Sequence, residues 1–304
     1  MKPTIGIWGC GVVGGTTAKL FEPECNLLKY DKYKEGNWHT PEELVVKSDF
    51  IFVCLPTPMK ETGEIDLSFL DITMREIDYF VRHRRHTKPI VIIRSTSVSG
   101  SSDYYAEQCT ALEVAFVPEF LTENNAWEDT LRATRIVIGT NNPLTFFTIK
   151  SLFRIAYKCR EIEYIHMSRS EAEMYKYACN YFLAMQVLAA NELYFICKKL
   201  GINYQKIQEH LYHDKRIGSF TEVPGHDGDF GVGGKCFVKD INALAHLAKK
   251  HGYDPKLLQS AIDLNERVRK NKDWLSVPGA VSIVNLKKSE CRKGEKSPWF
   301  ERLC

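Results

Sequence analysis

The chain has 304 residues, of which 44% are hydrophobic, so it can bury enough apolar surface for one large or two medium domains. Its 41 basic and 38 acidic residues leave a formal net charge of +3. This balance argues against a nucleic-acid or anionic-membrane partner and favours a small ligand.

The distribution of apolar residues predicts a soluble, cytoplasmic protein. No stretch approaches the roughly twenty apolar residues of a membrane-spanning helix, and the amino terminus leads into a short strand rather than a signal peptide. The 10 cysteines lack zinc-type pairing and the 9 histidines lack metal-ligand spacing. We therefore expect neither a disulfide framework nor a metal site.

The first half of the chain alternates short apolar runs with helical patterns. Such alternation predicts a doubly wound parallel sheet, and strands that are apolar nearly throughout are typical of a sheet covered by helices on both faces. The predicted strands are residues 4–8, 26–30, 50–55, 89–94, 114–117, 135–139 and 162–166. We expect an α/β, Rossmann-like fold over this part of the chain.

A glycine-rich turn follows the first predicted strand and opens a helix. Its spacing lets the backbone approach a pyrophosphate at the helix N-terminus. Asp31 ends the second strand, where a carboxylate can accept hydrogen bonds from both hydroxyls of an adenosine ribose, and this favours NAD over NADP. Lys32 and Lys34 would nevertheless tolerate a phosphate. The predicted dinucleotide site comprises Gly9, Gly11, Val12, Val13, Gly14 and Asp31.

Two hydroxyl residues follow later strands at the edge of the sheet where ligands bind. Thr57 comes after the third strand and Thr96 after the fourth. The carboxyl ends of such strands border the ligand crevice, so both residues are expected beside the cofactor. Each could instead serve only as a turn or helix-cap residue.

Residues 168–200 contain no glycine or proline and predict one helix roughly 50 Å long. Its apolar residues point in most directions, which indicates that it links domains and buries one face in a partner subunit. Gly201 follows in the usual C-cap position. Lys176 and Asn180 share a face of this helix because they are four residues apart. Further helices are predicted at 204–212, 240–251 and 255–270, followed by a flexible tail at 286–304.

Residues 231–240 read Gly-Val-Gly-Gly-Lys-Cys-Phe-Val-Lys-Asp. Cys236 thus lies between flexible glycines and a Lys-Asp pair. Glycines allow close approach of the backbone to a ligand, and Lys239 is expected to lower the pKa of the thiol, so Cys236 is a candidate nucleophile. Asp240 has two interpretations of equal weight, a catalytic carboxylate and the N-cap of the next helix.

Together with two further segments, these motifs resemble those of the nucleotide-sugar dehydrogenases. The segments are 118–123, Pro-Glu-Phe-Leu-Thr-Glu, and 172–180, Ala-Glu-Met-Tyr-Lys-Tyr-Ala-Cys-Asn. The matching blocks follow the family's order from Thr4 to about Glu266. The resemblance implies an NAD-binding Rossmann-like domain over 1–166, then a long connecting helix and a helical dimerisation domain over 167–285. It also implies a homodimer formed through the long helix.

The implied activity is the NAD-dependent oxidation of the primary alcohol of a nucleotide sugar to a carboxylate, with UDP-glucose to UDP-glucuronate as the expected case. The reaction removes four electrons and consumes two NAD and one water. Cys236 would add to the intermediate aldehyde as a thiohemiacetal, from which a second hydride can leave. Water would then open the resulting thioester.

The resemblance also implies roles for individual residues. Those implied in catalysis are Cys236, Lys176, Asp240, Glu119, Asn180 and Thr96. Those beside the cofactor, besides the glycine motif and Asp31, are Thr57, Thr96, Glu123 and Lys239. Those that bind substrate are Glu119, Phe120, Leu121, Lys176, Asn180, Arg216, Phe230, Gly231 and Gly233. Arg216 is expected to reach the substrate across the dimer interface.

The sequence departs from the family pattern in two places. The family continues after Glu266 into a third domain that supplies much of the UDP contact, whereas this sequence ends soon afterwards. In addition, Lys235 stands just before the cysteine, where the family commonly has a small residue. We expect an active, compact enzyme. One alternative is a remnant that binds NAD or a nucleotide sugar without turnover. The other is a two-electron hydroxy-acid dehydrogenase, which would leave the thiol segment without a role.

Overall fold

The computed structural model describes residues 2–34, 36, 38–84, 88–158, 160–211, 213–218, 220–277 and 280–282. The predicted flexible tail, 286–304, lies outside these residues. In the described part of the chain, no helix combines the length and the apolar character needed to cross a membrane.

A seven-stranded sheet is built from the first half of the chain. Its strands, in chain order, are β1 (Thr4–Trp8), β2 (Asn26–Tyr30), β3 (Phe50–Val53), β4 (Ile90–Ile93), β5 (Glu113–Phe116), β6 (Arg135–Gly139) and β7 (Glu163–Met167). They are arranged in the sheet as β2-β1-β3-β4-β5-β6-β7. The α/β fold predicted from the sequence is confirmed.

One pairing in this sheet differs from the expected parallel arrangement. Strands β5 and β6 are antiparallel and pair through Phe116 and Gly139, whereas the other neighbours are parallel. The connection between them contains a single 3₁₀ turn, Glu123–Asn125, and one short α-helix, α5 (Ala126–Leu131). A six-residue helix is about 9 Å long, too short to carry the chain back across the sheet, so β6 starts at the edge where β5 ends.

Helices cover both faces of the sheet. Besides α5 they are α1 (Val12–Phe21), α2 (Pro41–Lys47), α3 (Ser68–Arg84), α4 (Ser101–Gln108) and α6 (Pro143–Ala156). On one face, Phe52 of β3 packs against Phe21 and Phe153. On the other face, Ile51 belongs to the same buried cluster as Leu70. Alternate side chains of one strand thus fill two separate cores.

The long helix α7 (Arg169–Leu200) joins the sheet to the last helices, and its prediction is confirmed. Ser168 caps its start in a capping box with Glu171, and Gly201 ends it in the left-handed conformation, with φ 71°. It is followed by α8 (Tyr204–Leu211), α9 (Phe237–Lys250) and α10 (Lys256–Val268). Helix α7 packs against α9, and Ala184 and Ile241 lie in the core between them.

Helix α9 begins earlier than predicted, and this corrects the interpretation of Asp240. Cys236 occupies the N-cap position and Asp240 lies in the first turn, so Asp240 is not the N-cap. The earlier start is explained by burial, because Val238 is 2% exposed and packs into the core beside α7. Tertiary packing therefore adds residues that local sequence pattern did not assign to this helix.

A buried carboxylate fixes α7 to the sheet domain. Glu173 is 0% exposed. One carboxylate oxygen accepts hydrogen bonds from Ser97 Oγ at 2.9 Å and from Ser102 N and Oγ at 2.9 and 2.6 Å, and the other accepts from Gly100 N at 2.7 Å. Glu173 thereby satisfies amides at the N-terminus of α4. Burial raises its pKa to about 7, although these hydrogen bonds lower it.

This carboxyl should make stability depend on pH. Its pKa rises from 4.5 to about 7, so the folded chain holds the proton more tightly than the unfolded chain. The carboxyl's contribution to the free energy of unfolding is therefore lost as pH rises from about 4.5 to about 7. The loss is on the order of 3 kcal/mol. The free energy of unfolding, measured with denaturant, should be higher at pH 5 than at pH 8 in the unaltered chain, and this difference should be smaller in Glu173→Gln. The exposed control Glu107→Gln should retain it; equal pH dependence in all three proteins would contradict the assignment.

Candidate active site

The candidate nucleophile lies at the junction between the glycine loop and α9. Cys236 is half-buried, and its position at the N-cap places the thiol at the positive end of a 14-residue helix. The helix then presents Lys239 and Asp240 within its first turn, directly behind the thiol. The local sequence thus brings a thiol, a cation and a carboxylate to one end of a helix.

Asp240 connects α9 to α7. It is 2% exposed, and its Oδ1 accepts a hydrogen bond from Lys239 Nζ at 2.6 Å. Its Oδ2 accepts one from Asn180 Nδ2 at 2.5 Å. Because both partners are themselves buried, the carboxylate is held in one orientation by groups from two helices.

Lys176 brings a second cation into the same cluster. Its side chain is 6% exposed, its Nζ lies 3.4 Å from Glu119 Oε1, and the ammonium sits 5.3 Å from the centre of the Phe120 ring. Burial lowers the pKa of Lys176, but Glu119, Asp240 and Cys236 together outweigh burial and raise it. The ammonium is therefore suited to stabilise negative charge rather than to accept a proton.

The pKa of Cys236 differs from the sequence-based expectation. Burial raises it most, and the negative charges of Asp240 and Glu119 raise it further, while Lys239 and Lys176 lower it. The expected effect of Lys239 is present, but the net shift is upward. Burial of the thiol, reinforced by the negative charges of Asp240 and Glu119, outweighs the two cations, so the prediction of a lowered pKa is wrong.

Of the remaining predicted catalytic and substrate residues, those after β5 lie beside the cluster and Arg216 lies away from it. Glu119, Phe120 and Leu121 lie after β5, and Glu119 Oε2 accepts a hydrogen bond from Leu121 N at 2.8 Å. Arg216 is elsewhere on the surface: its side chain is 89% exposed and forms an ion pair with Asp214. The structure brings Cys236, Lys176, Asn180, Lys239, Asp240 and Glu119 together, and it does not place Arg216 among them.

The two hydroxyl residues predicted beside the cofactor lie next to each other. Thr57, after β3, donates a hydrogen bond from its Oγ1 to the carbonyl oxygen of Thr96, after β4, at 2.7 Å. Thr57 is buried and Thr96 is half-buried. The backbone of Glu123 lies in a short 3₁₀ helix, Glu123–Asn125, while its side chain is outside the described structure.

The glycine motif has the geometry that a dinucleotide requires. A Cβ at Gly14 would lie 1.8 Å from the carbonyl oxygen of Gly9, so only glycine permits this contact between α1 and the turn. A Cβ at Gly11, the N-cap of α1, would meet nothing within 4 Å, which leaves the helix N-terminus accessible. Asp31 Oδ2 accepts a hydrogen bond from Cys10 N at 2.7 Å, which ties the ribose-binding candidate to the same turn. These groups fit NAD.

The glycine loop before the thiol is held by side chains from outside it. Asn265 Oδ1 accepts a hydrogen bond from Val232 N at 2.8 Å, and its Nδ2 donates to Val232 O at 3.1 Å. The Asp273 carboxylate accepts from Gly234 N at 3.1 Å with both oxygens. Arg269, whose side chain is 1% exposed, bridges Asp227 and Asp273. The loop is thus fixed before any ligand binds.

The substrate-loop residues predicted from the sequence belong to this arrangement. Gly231 N donates to Asn191 Oδ1 at 2.9 Å, and Phe230 packs on Tyr194 and Phe195 of α7. A Cβ at Gly233 would lie 2.0 Å from Arg269 Nη2, which explains the glycine there. The loop is therefore closely packed against α7 and α10.

Several polar residues that hold the segments of the site in place were not identified from the sequence. Glu173 lies three residues before Lys176 and shares its helix face, so the spacing itself was a usable signal. Asn191 extends the same face further along α7. Arg269 and Asp273 lie after the recognised motifs, and their local sequence carries no comparable signal. In the described residues no group of three His, Cys, Asp or Glu side chains could hold a metal ion.

Comparison with known proteins gives matches to both halves of the chain. Residues 15–157 match the UDP-glucose/GDP-mannose dehydrogenase family, NAD binding domain, and residues 170–267 match the central domain of the same family. The UDP-glucose 6-dehydrogenase YwqF of Bacillus subtilis is 34% identical over 256 residues, covering 81% of this chain and 56% of that protein. The UDP-glucose 6-dehydrogenase AglM of Haloferax volcanii is 32% identical over 238 residues, covering 75% and 54%.

A solved structure shows similarity over the same region. The UDP-glucose dehydrogenase of Pyrobaculum islandicum superposes with a TM-score of 0.77 at 25% identity, covering 88% of this chain and 68% of that chain. The chain spans about half the length of the two curated relatives.

Proposed function

Because the chain belongs to the UDP-glucose/GDP-mannose dehydrogenase family, we propose that it oxidises the primary alcohol of a nucleotide sugar to a carboxylate, with UDP-glucose as substrate and NAD as oxidant. One observation supports this most strongly. A half-buried thiol shares a cluster with two ammonium groups, two carboxylates and an amide, drawn from the segment after β5, from α7 and from α9. A two-electron hydroxy-acid dehydrogenase would not need this thiol.

In the first oxidation the cluster must remove the alcohol proton and stabilise the alkoxide. The raised pKa of Lys176 favours the ammonium as the group that stabilises the negative oxygen. Asp240 is then the better candidate to accept the proton, through a water, while Lys239 and Asn180 hold its carboxylate in place. NAD, when bound, accepts one hydride in each of the two oxidations.

In the second oxidation Cys236 converts the aldehyde into a species that can lose hydride. The Sγ–C bond forms as the thiol proton passes to a neighbouring carboxylate, and the new oxyanion faces the Lys176 ammonium. Hydride loss gives a thioester. Water then adds to its carbonyl with Glu119 as acid-base group, the S–C bond breaks, and the carboxylate product leaves Cys236 free. Thr96 is the proposed second contact of this water.

We also propose that two copies associate through α7. This helix carries exposed apolar side chains, among them Phe182 at 65%, Ile196 at 49% and Leu200 at 67% exposure. The exposed position of Arg216 is compatible with a role in the partner's site. A monomeric mass in light scattering would contradict this part of the proposal.

The reaction is tested by its stoichiometry. Purified protein with NAD and limiting UDP-glucose should release two NADH per sugar consumed and form UDP-glucuronate. Other nucleotide sugars and small hydroxy acids serve as comparison substrates under the same conditions. One NADH per molecule with a hydroxy acid would identify a two-electron dehydrogenase instead, and NAD binding without turnover on any nucleotide sugar would identify a binding protein.

A further inference from the structure

A cleft of about 220 Å³ lies between α1 and the segment that joins β5 to β6. Thr16 and Thr17 of α1 form one side of the cleft. Arg94, which follows β4, and Arg132 and Arg135, which precede and begin β6, supply its positive charge. Glu119, Phe120 and Leu121 of the proposed substrate site also line this cleft. Its threonines and arginines have no part in the proposed reaction.

The carboxylates and arginines of this cleft are not paired with each other. Asp129 accepts hydrogen bonds from the backbone and hydroxyl of Thr122, at 2.7 and 2.5 Å. Glu119 is occupied by Lys176 and by the Leu121 amide. Both acidic side chains of the cleft therefore already have partners.

The arginines lack such partners within the described part of the chain. The Nε atoms of Arg94 and Arg135 are buried there without a hydrogen-bond acceptor. The Arg135 guanidinium stacks 4.7 Å from the centre of the Phe120 ring, a contact that supplies no hydrogen-bond acceptor for its Nε. Removing a guanidinium N–H from water without an acceptor is unfavourable, so an acceptor from outside the chain is expected.

The chemistry and size of the cleft indicate what that acceptor is. A guanidinium presents a planar fork of N–H donors that matches the oxygens of phosphate, sulfate or carboxylate. Water occupies about 30 Å³ per molecule in the liquid, so a cleft of about 220 Å³ holds a tetrahedral oxyanion with several waters. An uncharged ligand would leave the positive charge of the arginines uncompensated, and a cationic ligand would be repelled by it.

We propose that this cleft binds a small free oxyanion of the phosphate or sulfate class, held by Arg94 and Arg135, with Arg132 at its exposed side. The site is separate from the position expected for a dinucleotide pyrophosphate at Gly11 and Val12, because Thr16 and Thr17 lie at least one helical turn further along α1. It adjoins the proposed catalytic cluster through Glu119, yet its occupancy does not require that the chain be a dehydrogenase.

Calorimetric titration of the full chain with inorganic phosphate tests this site. We expect saturable binding that persists when the protein is saturated with NAD. Arg94→Gln should weaken this binding at least tenfold, and Arg94→Lys, which keeps the charge but loses the fork, should weaken it less. Arg267→Gln, which removes an exposed arginine from α10, is the matched control and should bind phosphate as the unaltered chain does.

Three results would overturn the site. They are absence of saturable phosphate binding, equal affinity in the unaltered chain and Arg94→Gln, and loss of phosphate binding when NAD is added, which would place the anion at the dinucleotide site. Arg135→Gln provides a second variant if Arg94→Gln does not fold, as judged by its melting temperature and circular dichroism. Because binding is read without turnover, failure here is distinguishable from failure of the proposed reaction.

Discussion

Replacing Cys236 by serine should reduce the yield from two NADH per UDP-glucose to at most one and should stop UDP-glucuronate formation. A hydroxyl at this position is a much weaker nucleophile near neutral pH than a thiol, so the aldehyde would not be trapped as the adduct that loses the second hydride. In the proposed mechanism the first oxidation depends on Lys176 and Asp240 rather than on the thiol, so it should continue. The measurement is NADH released against sugar consumed, with a carbonyl reagent present to capture free aldehyde.

Cys179 offers a matched control for this change. It is also a half-buried free thiol, but it lies on α7 rather than at the glycine loop. Cys179→Ser should keep the yield of two NADH per sugar. An undiminished yield in Cys236→Ser would refute the covalent step, whatever the activity of the other variant.

Replacing Lys176 by methionine should slow the first hydride transfer by about 10²- to 10³-fold, the usual effect of losing one oxyanion-stabilising group. Methionine is unbranched like lysine, so the change removes the ammonium and its N–H donors while keeping most of the side-chain volume. Loss of the Lys176 ammonium also leaves the Glu119 carboxylate, 3.4 Å away in the native chain, without its cation. The rate is measured under single-turnover conditions, from the formation of the first NADH at each site.

Lys199→Met tests whether a lost positive charge on α7 is enough to produce this effect. Lys199 is exposed in the last turn of the same helix, and its replacement should leave hydride transfer unchanged. NAD affinity, measured by titration, should be similar in both variants. If Lys176→Met transfers hydride at the native rate, the ammonium has no role in stabilising the alkoxide.

Local sequence was sufficient to predict the main elements of the fold. The absence of glycine and proline from 168 to 200 predicted α7, and a capping Ser168 and a left-handed Gly201 mark its ends. Local pattern was not sufficient for the direction of β6, because an apolar run carries no information about which way its strand runs. The early start of α9 was also missed, since it depends on the burial of Val238 against another helix.

The composition of the candidate site was more predictable than its electrostatics. The local motif identified Cys236, and the resemblance to the nucleotide-sugar dehydrogenases implied Lys176 and Asp240. The structure brings all three together. The direction of the thiol pKa shift depends on burial and on charges from segments that are far apart in the chain. No short stretch of sequence contains all of these groups. The ion pairs of Arg269 could not be predicted for the same reason. They join Asp227, which precedes the thiol in the chain, to Asp273, which follows α10.

The upward shift of the thiol pKa has a consequence for survival of the protein under oxidative stress. Peroxide reacts with thiolates, and the protonated thiol is comparatively inert. Burial together with Asp240 and Glu119 keeps Cys236 protonated while the site is at rest. Oxidation to sulfenic and then irreversible sulfinic acid should therefore be slow in the resting site, so the carboxylates proposed to take part in the reaction would also protect the sulfur of Cys236.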